Sequence, residues 1–280
     1  MQMHSNPAQF STRSQIAAEV QTVTAEPAKA LAIPATAQLS LPPMLDIPTD
    51  HPRIDGADRQ VQRLDWTAFD GIRQGAEGLA QDLSVPLSIV LLAGFQLLLY
   101  RYSRQSQFAI AALEQEQRRW IISDLNPSTT AKLAIEQLWQ TWQQSTGLRN
   151  DTLDALATSE FSSNPFRANQ FAFSVVGEGD LLLPALPKWD LKVGMVSGGD
   201  RRIVSGYLDY DGAMFAPESA VRLQGHLTEV LRQMAADPQQ SIETLPYIPE
   251  AEVQQLLYDW NETAVDYPRG PASMNYLKPR

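Results

Sequence analysis

Apolar residues recur along the chain in two rhythms, and each rhythm predicts elements. Phe69, Ile72, Ala76, Leu79 and Leu83 are spaced by three and four, which lines one face of a helix. Ser84 predicts a cap for a second helix over 85–102, with Pro86 tolerated in its first turn. That helix contains "LSIVLLAGFQLLLY" and is apolar almost all round, so it is expected at the buried centre of its domain. A third helix over 130–145 sets Ala131, Ala134, Leu138, Trp139 and Trp142 on one side. The rhythm then becomes alternation. Phe171, Phe173 and Val175 share a face in a strand over 170–176, and Leu191, Val193 and Met195 do so over 190–197. A strand over 202–210 follows "GGD", whose small residues suit a hairpin. Helices resume at 217–235, with Leu223, Leu227, Val230, Leu231 and Met234 in a stripe. The last helix, 250–260, presents Val253, Leu256, Leu257 and Trp260. The order ααα-βββ-αα predicts an α+β or α/β layered domain, of which α+β is adopted, with helices packed on a largely antiparallel or mixed sheet.

Composition divides the chain further. Proline recurs at Pro27, Pro34, Pro42, Pro43 and Pro48 in an Ala-rich stretch, so residues 1–48 read as a flexible arm or linker. Of 280 residues, 44% are hydrophobic and 19% charged, enough to build a real core. The formal net charge of -10 leaves no basic surface to neutralise phosphates, so neither nucleic acid nor an anionic membrane is an expected partner. The absence of cysteine excludes disulfides, thiolate nucleophiles and cysteine-bound metal. The start of the chain lacks the layout of a signal peptide. The longest apolar run, 87–100, falls short of the roughly 20 residues a bilayer needs. A cytoplasmic protein is the expectation.

Few residues offer chemistry. His4 lies in the arm, His51 at its exit, and His226 beside the apolar stripe of the 217–235 helix, where it is expected as a half-covered helix residue. Three scattered histidines supply no zinc spacing. "YLDYDG" (207–212) looks like part of a calcium loop, but the remaining acidic ligands do not follow, so a strand ending in a turn is expected. "VGEGD" (176–180) reads as a turn, and "EQEQRR" (114–119) as a solvated surface run.

Several segments, in order, resemble the C-terminal lobe of a condensation domain from nonribosomal peptide synthetases. "IPTDHPR" (47–53) is similar to the "LPTDRPR" that joins the two lobes in that family. Residues 84–111 resemble its long buried helix, which leads into a strand, and "NQFAFSVV" (169–176) resembles a later strand. Lys188, Trp189, Asp190 and Leu191 resemble the "KFDL" strand start. Residues 205–252 resemble "GxLEYNTDLF…RLxGHL…DP…LPLLxxxE" almost continuously, which places Leu208, Asp209, Tyr210 and His226 on family positions. "LLYDWNETAVDYP" (256–268), with Trp260 and Asn261, resembles the boundary leading to an adenylation domain.

The resemblance implies a single chloramphenicol-acetyltransferase-like lobe over 49–255, followed by a connector with a short divergent tail over 256–280. Lys188, Trp189, Asp190, Leu208, Asp209, Tyr210, His226, Trp260 and Asn261 are implied to be structural positions, and no catalytic, cofactor or metal residue is implied. The family forms amide bonds with an "HHxxxDG" motif in its N-terminal lobe, and this chain has no adjacent histidine pair. The family's "HQDxPFE" element is also replaced, by residues 145–161. The protein so implied is a partial lobe, inactive alone, acting as an interaction or scaffold element in peptide synthesis. It would meet phosphopantetheine only on the arms of partner carrier proteins. Expected partners are synthetase modules, a chain supplying an N-terminal lobe, or a second copy through the uncovered lobe face. Two alternatives stand beside this. One is half of an acyltransferase assembled in trans, and the other is a truncated synthetase fragment with no selected function.

Overall fold

The structure is a computed structural model that describes residues 44–54, 60–114, 117–144, 170–177, 189–200 and 202–257. The chain divides into two compact units, Met1–Leu39 and Ser40–Arg280, and the described residues all belong to the second. Among the described residues its elements are, in chain order, β1 (Val61–Asp65), α1 (Phe69–Asp82), α2 (Leu87–Ser103), β2 (Gln107–Glu114), β3 (Gln117–Asp124), α3 (Ala131–Gln144), β4 (Phe171–Gly177), β5 (Leu191–Ser197), β6 (Ile203–Asp211), α4 (Pro217–Ala236) and α5 (Glu250–Leu257).

The strands form one six-stranded mixed sheet in the order β1-β6-β5-β4-β2-β3. β4 runs parallel to both β2 and β5, and the other pairings are antiparallel. Register aligns the apolar alternation across strands. Phe171 faces Leu191, Phe173 faces Val193, and Val193 in turn faces Leu208. These rows meet the helix layer in one continuous core that also takes in α1, α2, α3 and α4. Every residue of α2 from Ile89 to Tyr100 is buried, as its all-round apolar sequence requires. Gly94 permits its crossing with α4, since a Cβ there would run into the Leu231 side chain.

Four expectations need correction. Ser84 does not cap α2. It adopts φ 54° and ends α1, its N–H donating to the Gln81 carbonyl while Val85 N–H donates to Ala80. That pair of bonds is a Schellman ending, and it leads almost at once into Pro86, which precedes α2 without a side-chain cap. Of the run 114–119, Glu114 ends β2 and 117–119 begin the antiparallel β3, where Arg118 and Arg119 are half-buried rather than solvated and Trp120 and Ile121 beyond them are buried. β1 has no counterpart among the expected strands, since "VQRLD" has one strongly apolar residue per face and gains its place by pairing with β6. The apolar face expected on the last helix is not buried: no residue of α5 is, and Leu257 is 57% exposed.

Leu45 and Ile47, which a boundary at residue 48 assigns to the arm, are buried in the core. Gln170 fixes Leu45 by both its N–H and its carbonyl, and Gln105 bonds Asp46 N–H and the Met44 carbonyl. Further on, Asp50 and His51 N–H both donate to Met214 carbonyl. Asp50 then caps α4 from outside, accepting from Ala216 N–H at 2.8 Å and from the Ser219 hydroxyl at 2.8 Å. The Ala216 N–H holds the Asp50 carboxyl below its ordinary range. A carboxylate depressed by folding stabilises above its unfolded pKa of about 3.9 and loses that contribution as pH falls through the lower folded value. Asp50→Ala is therefore expected to cost about 0.5–1 kcal/mol at pH 7, the low end for a cap because the group is exposed. Urea unfolding of both proteins should show the gap at pH 7 and its closure below about pH 4.

Candidate functional site

Three groups of polar side chains interrupt this apolar framework. The first lies on the sheet face opposite the helices. Asp209 on β6 sits in register with Arg63 on β1 and with Lys192 on β5, so two cations flank one carboxylate. Arg63 donates through Nε at 2.6 Å and Nη2 at 2.9 Å, and Lys192 Nζ lies 2.8 Å away. The Arg63 guanidinium also covers the Tyr207 ring at 3.8 Å. Its bonds to Asp209 push its pKa up. Next to it, Asp190 is fully buried and ion-paired with Arg53 of the entering strap, while the Arg118 guanidinium lies 5.8 Å from the Trp189 ring.

The second group joins three helices. His226 on α4 is 6% exposed, and both of its ring nitrogens are engaged. The Tyr102 hydroxyl of α2 lies 2.5 Å from Nδ1, and Glu252 Oε2 of α5 lies 2.7 Å from Nε2. Tyr247 closes edge-on over the imidazole at 5.4 Å. Burial pushes the Tyr102 hydroxyl up, so it remains a donor at neutral pH.

The third is a cleft of about 560 Å³ between the α1–α2 turn and the ends of β4 and β6. Its polar lining is Glu77, Gln81, Ser84, Ser88 and Arg202, over a floor that includes Val175 and Ile203. Glu77 and Arg202 are ion-paired across 3.3 Å. Among the described residues, the hydroxyls and the ion-paired Glu77 of this cleft have no imidazole beside them, and they make a surface that can bind. Among the described residues, no three His, Cys, Asp or Glu side chains converge as a metal site would require. Asp211, the second aspartate of the calcium-like "YLDYDG", instead accepts N–H bonds from Gln60 and Ala213.

The nine positions singled out in the sequence thus fall into distinct places. Leu208 and Tyr210 are core, Asp209 and Asp190 are ion-paired, Trp189 is buried, and His226 joins helices. Lys188, Trp260 and Asn261 lie outside the described residues. Arg53, Arg63, Lys192, Tyr102 and Glu252 emerge only from the structure. Lys192 carries a signal in the sequence, a charge interrupting "DLKVGMV" on the face opposite Leu191 and Val193. Glu252 lies 26 residues from His226 and carries none.

A mixed six-stranded sheet with its helices in this order is the fold of a condensation-domain lobe, of chloramphenicol-acetyltransferase-like architecture. Solved structures bear this out. The chain aligns with a four-domain nonribosomal peptide synthetase bound to AMP and glycine at TM-score 0.60 and 20% identity, covering 76% of this chain and 20% of the other. The X-domain from teicoplanin biosynthesis, in its complex with OxyB, aligns at TM-score 0.57 and 20% identity over 76% and 53% of the two chains. The first condensation domain of the CDA synthetase aligns at TM-score 0.51 and 13% identity, over 71% and 50%. In sequence the chain is 24% identical over 257 residues to a linear gramicidin synthase of Brevibacillus parabrevis. It is 26% identical over 259 residues to a chondramide synthase of Chondromyces crocatus. Each of these matches covers 80% of this chain, which spans only 5% and 6% of those two proteins. No family model matches. Among the described residues no single helix is long and apolar enough to cross a membrane.

Proposed function

We propose that this chain serves nonribosomal peptide synthesis in the cytoplasm as a condensation-domain lobe that docks other parts of the synthetase, and that it does not form amide bonds alone. The observation that carries this reading is the state of His226. Both of its nitrogens are committed inside the lobe, to Tyr102 and Glu252, so neither faces an incoming amine. His51 lies exposed on the strap and His4 falls outside the described residues, and the sequence holds no adjacent pair. A docking role is supported by the X-domain of teicoplanin biosynthesis, a neighbour of the same fold that forms a complex with OxyB. The partners we propose are a chain with an N-terminal lobe, a synthetase module whose carrier protein bears phosphopantetheine, or a second copy. Biolayer interferometry against such modules, with sedimentation velocity for self-association, is expected to show saturable binding to one of them. A monodisperse monomer at high concentration that binds none would overturn the docking role.

A further inference from the structure

α5 does not hold its place by burial. It has eight residues, and none of Glu250–Leu257 is buried. Isolated helices shorter than about 12–15 residues are marginal in water, so contacts with the lobe must supply its order. The segment just before it is firmly seated. Ile242 and Leu245 are fully buried, and Arg101 donates to the carbonyls of Ile242 and Glu243. Tyr247 packs between Tyr102, at 5.9 Å, and His226, with the Arg101 guanidinium 4.9 Å from its ring. Beyond Tyr247 the chain turns at Pro249, whose carbonyl accepts from Glu252 and Val253 N–H and starts the helix.

Glu252 is the side chain that ties this turn back to α4. A hydrogen-bond chain runs from the Tyr102 hydroxyl into His226 Nδ1 and from Nε2–H into the Glu252 carboxylate. Its direction is consistent for a neutral ring, because the phenol can donate and an ionised carboxylate only accepts. The acceptor-only Glu252 carboxylate thereby selects the tautomer with its proton on Nε2, and the Tyr102 hydroxyl donates to the Nδ1 lone pair that this leaves. A weaker companion is the attraction between Glu250 and Arg232 of α4. Among the described residues, those buried in the core all precede Tyr247, so undoing this contact is expected to leave the lobe itself intact.

We propose that Tyr102, His226 and Glu252 form a latch that holds α5 against α4 and frees it when the contact is undone. The inference concerns α5 and stands whether or not the chain takes part in catalysis. Hydrogen exchange of the full chain, read by mass spectrometry, tests it. Glu252→Ala is expected to speed exchange of the α5 amides roughly ten- to a hundred-fold, the range for loss of a hydrogen bond to a charged group, while α4 amides over 223–234 keep their protection. Tyr102→Phe removes only the hydroxyl bonded to His226 Nδ1, leaves the Glu252 contact in place, and should speed α5 exchange less. Unchanged α5 exchange in Glu252→Ala would overturn the latch, as would wild-type α5 amides exchanging like an unfolded peptide. Should Glu252→Ala loosen the whole lobe, the near-isosteric Glu252→Gln decides: α5 alone loosening supports the latch, and α4 loosening with it contradicts it.

Discussion

Asp209→Ala is expected to lower stability by about 3–5 kcal/mol, read as a fall in the urea midpoint with the slope unchanged. The reason is the pair of cations left behind. Arg63 and Lys192 converge on this one carboxylate from the two neighbouring strands. The Lys192 side chain is only 10% exposed, so without Asp209 it becomes an uncompensated buried charge. The Arg63 side chain is 39% exposed and can turn toward water, so most of the cost falls on Lys192. Adding Lys192→Met to Asp209→Ala should therefore recover much of the loss, since the pair couples strongly. A double variant no more stable than Asp209→Ala would contradict the buried-charge account.

Gly194→Ala is expected to cost about 3 kcal/mol, the upper part of the range for overpacking. Gly194 stands directly opposite Tyr207, and a Cβ built on it would run into the Tyr207 ring at Cζ. The ring cannot simply swing aside, because Arg63 lies over it and Lys192 Nζ is 5.2 Å from its centroid. Removing the ring relieves the clash, so Gly194→Ala combined with Tyr207→Ala should cost less than the sum of the two changes. Thermal or urea melts of the three variants check this. Additive losses would mean that the strand, rather than the aromatic cover, makes glycine necessary.

Local rhythm carries the elements whose packing is decided within a few residues. α1 and α4 follow spacings of three and four, α2 is apolar all round, and β4 and β5 alternate because one face of each meets the helix layer. Elements whose existence depends on distant partners leave no such trace. β1 pairs with a strand far along the chain, and β3 turns a polar run into an edge strand by pairing with β2. Ser84 misleads because a serine before an apolar run signals a cap, while the nearby Pro86 and a short join make it a left-handed helix ending. The same divide separates the polar groups. Asp190, Asp209 and His226 stand out through family resemblance, but what each does is set by Arg53, Lys192 with Arg63, and Glu252, which no spacing connects to them.

The lobe is proposed to dock and not to join amides itself. Incubating the purified chain with carrier proteins loaded with donor and acceptor aminoacyl groups, followed by intact-protein mass spectrometry, tests this. No condensed product is expected above the rate without the chain. Amide formed by the chain alone, and lost on substituting His51, His226 or another of its residues without loss of fold, would contradict it.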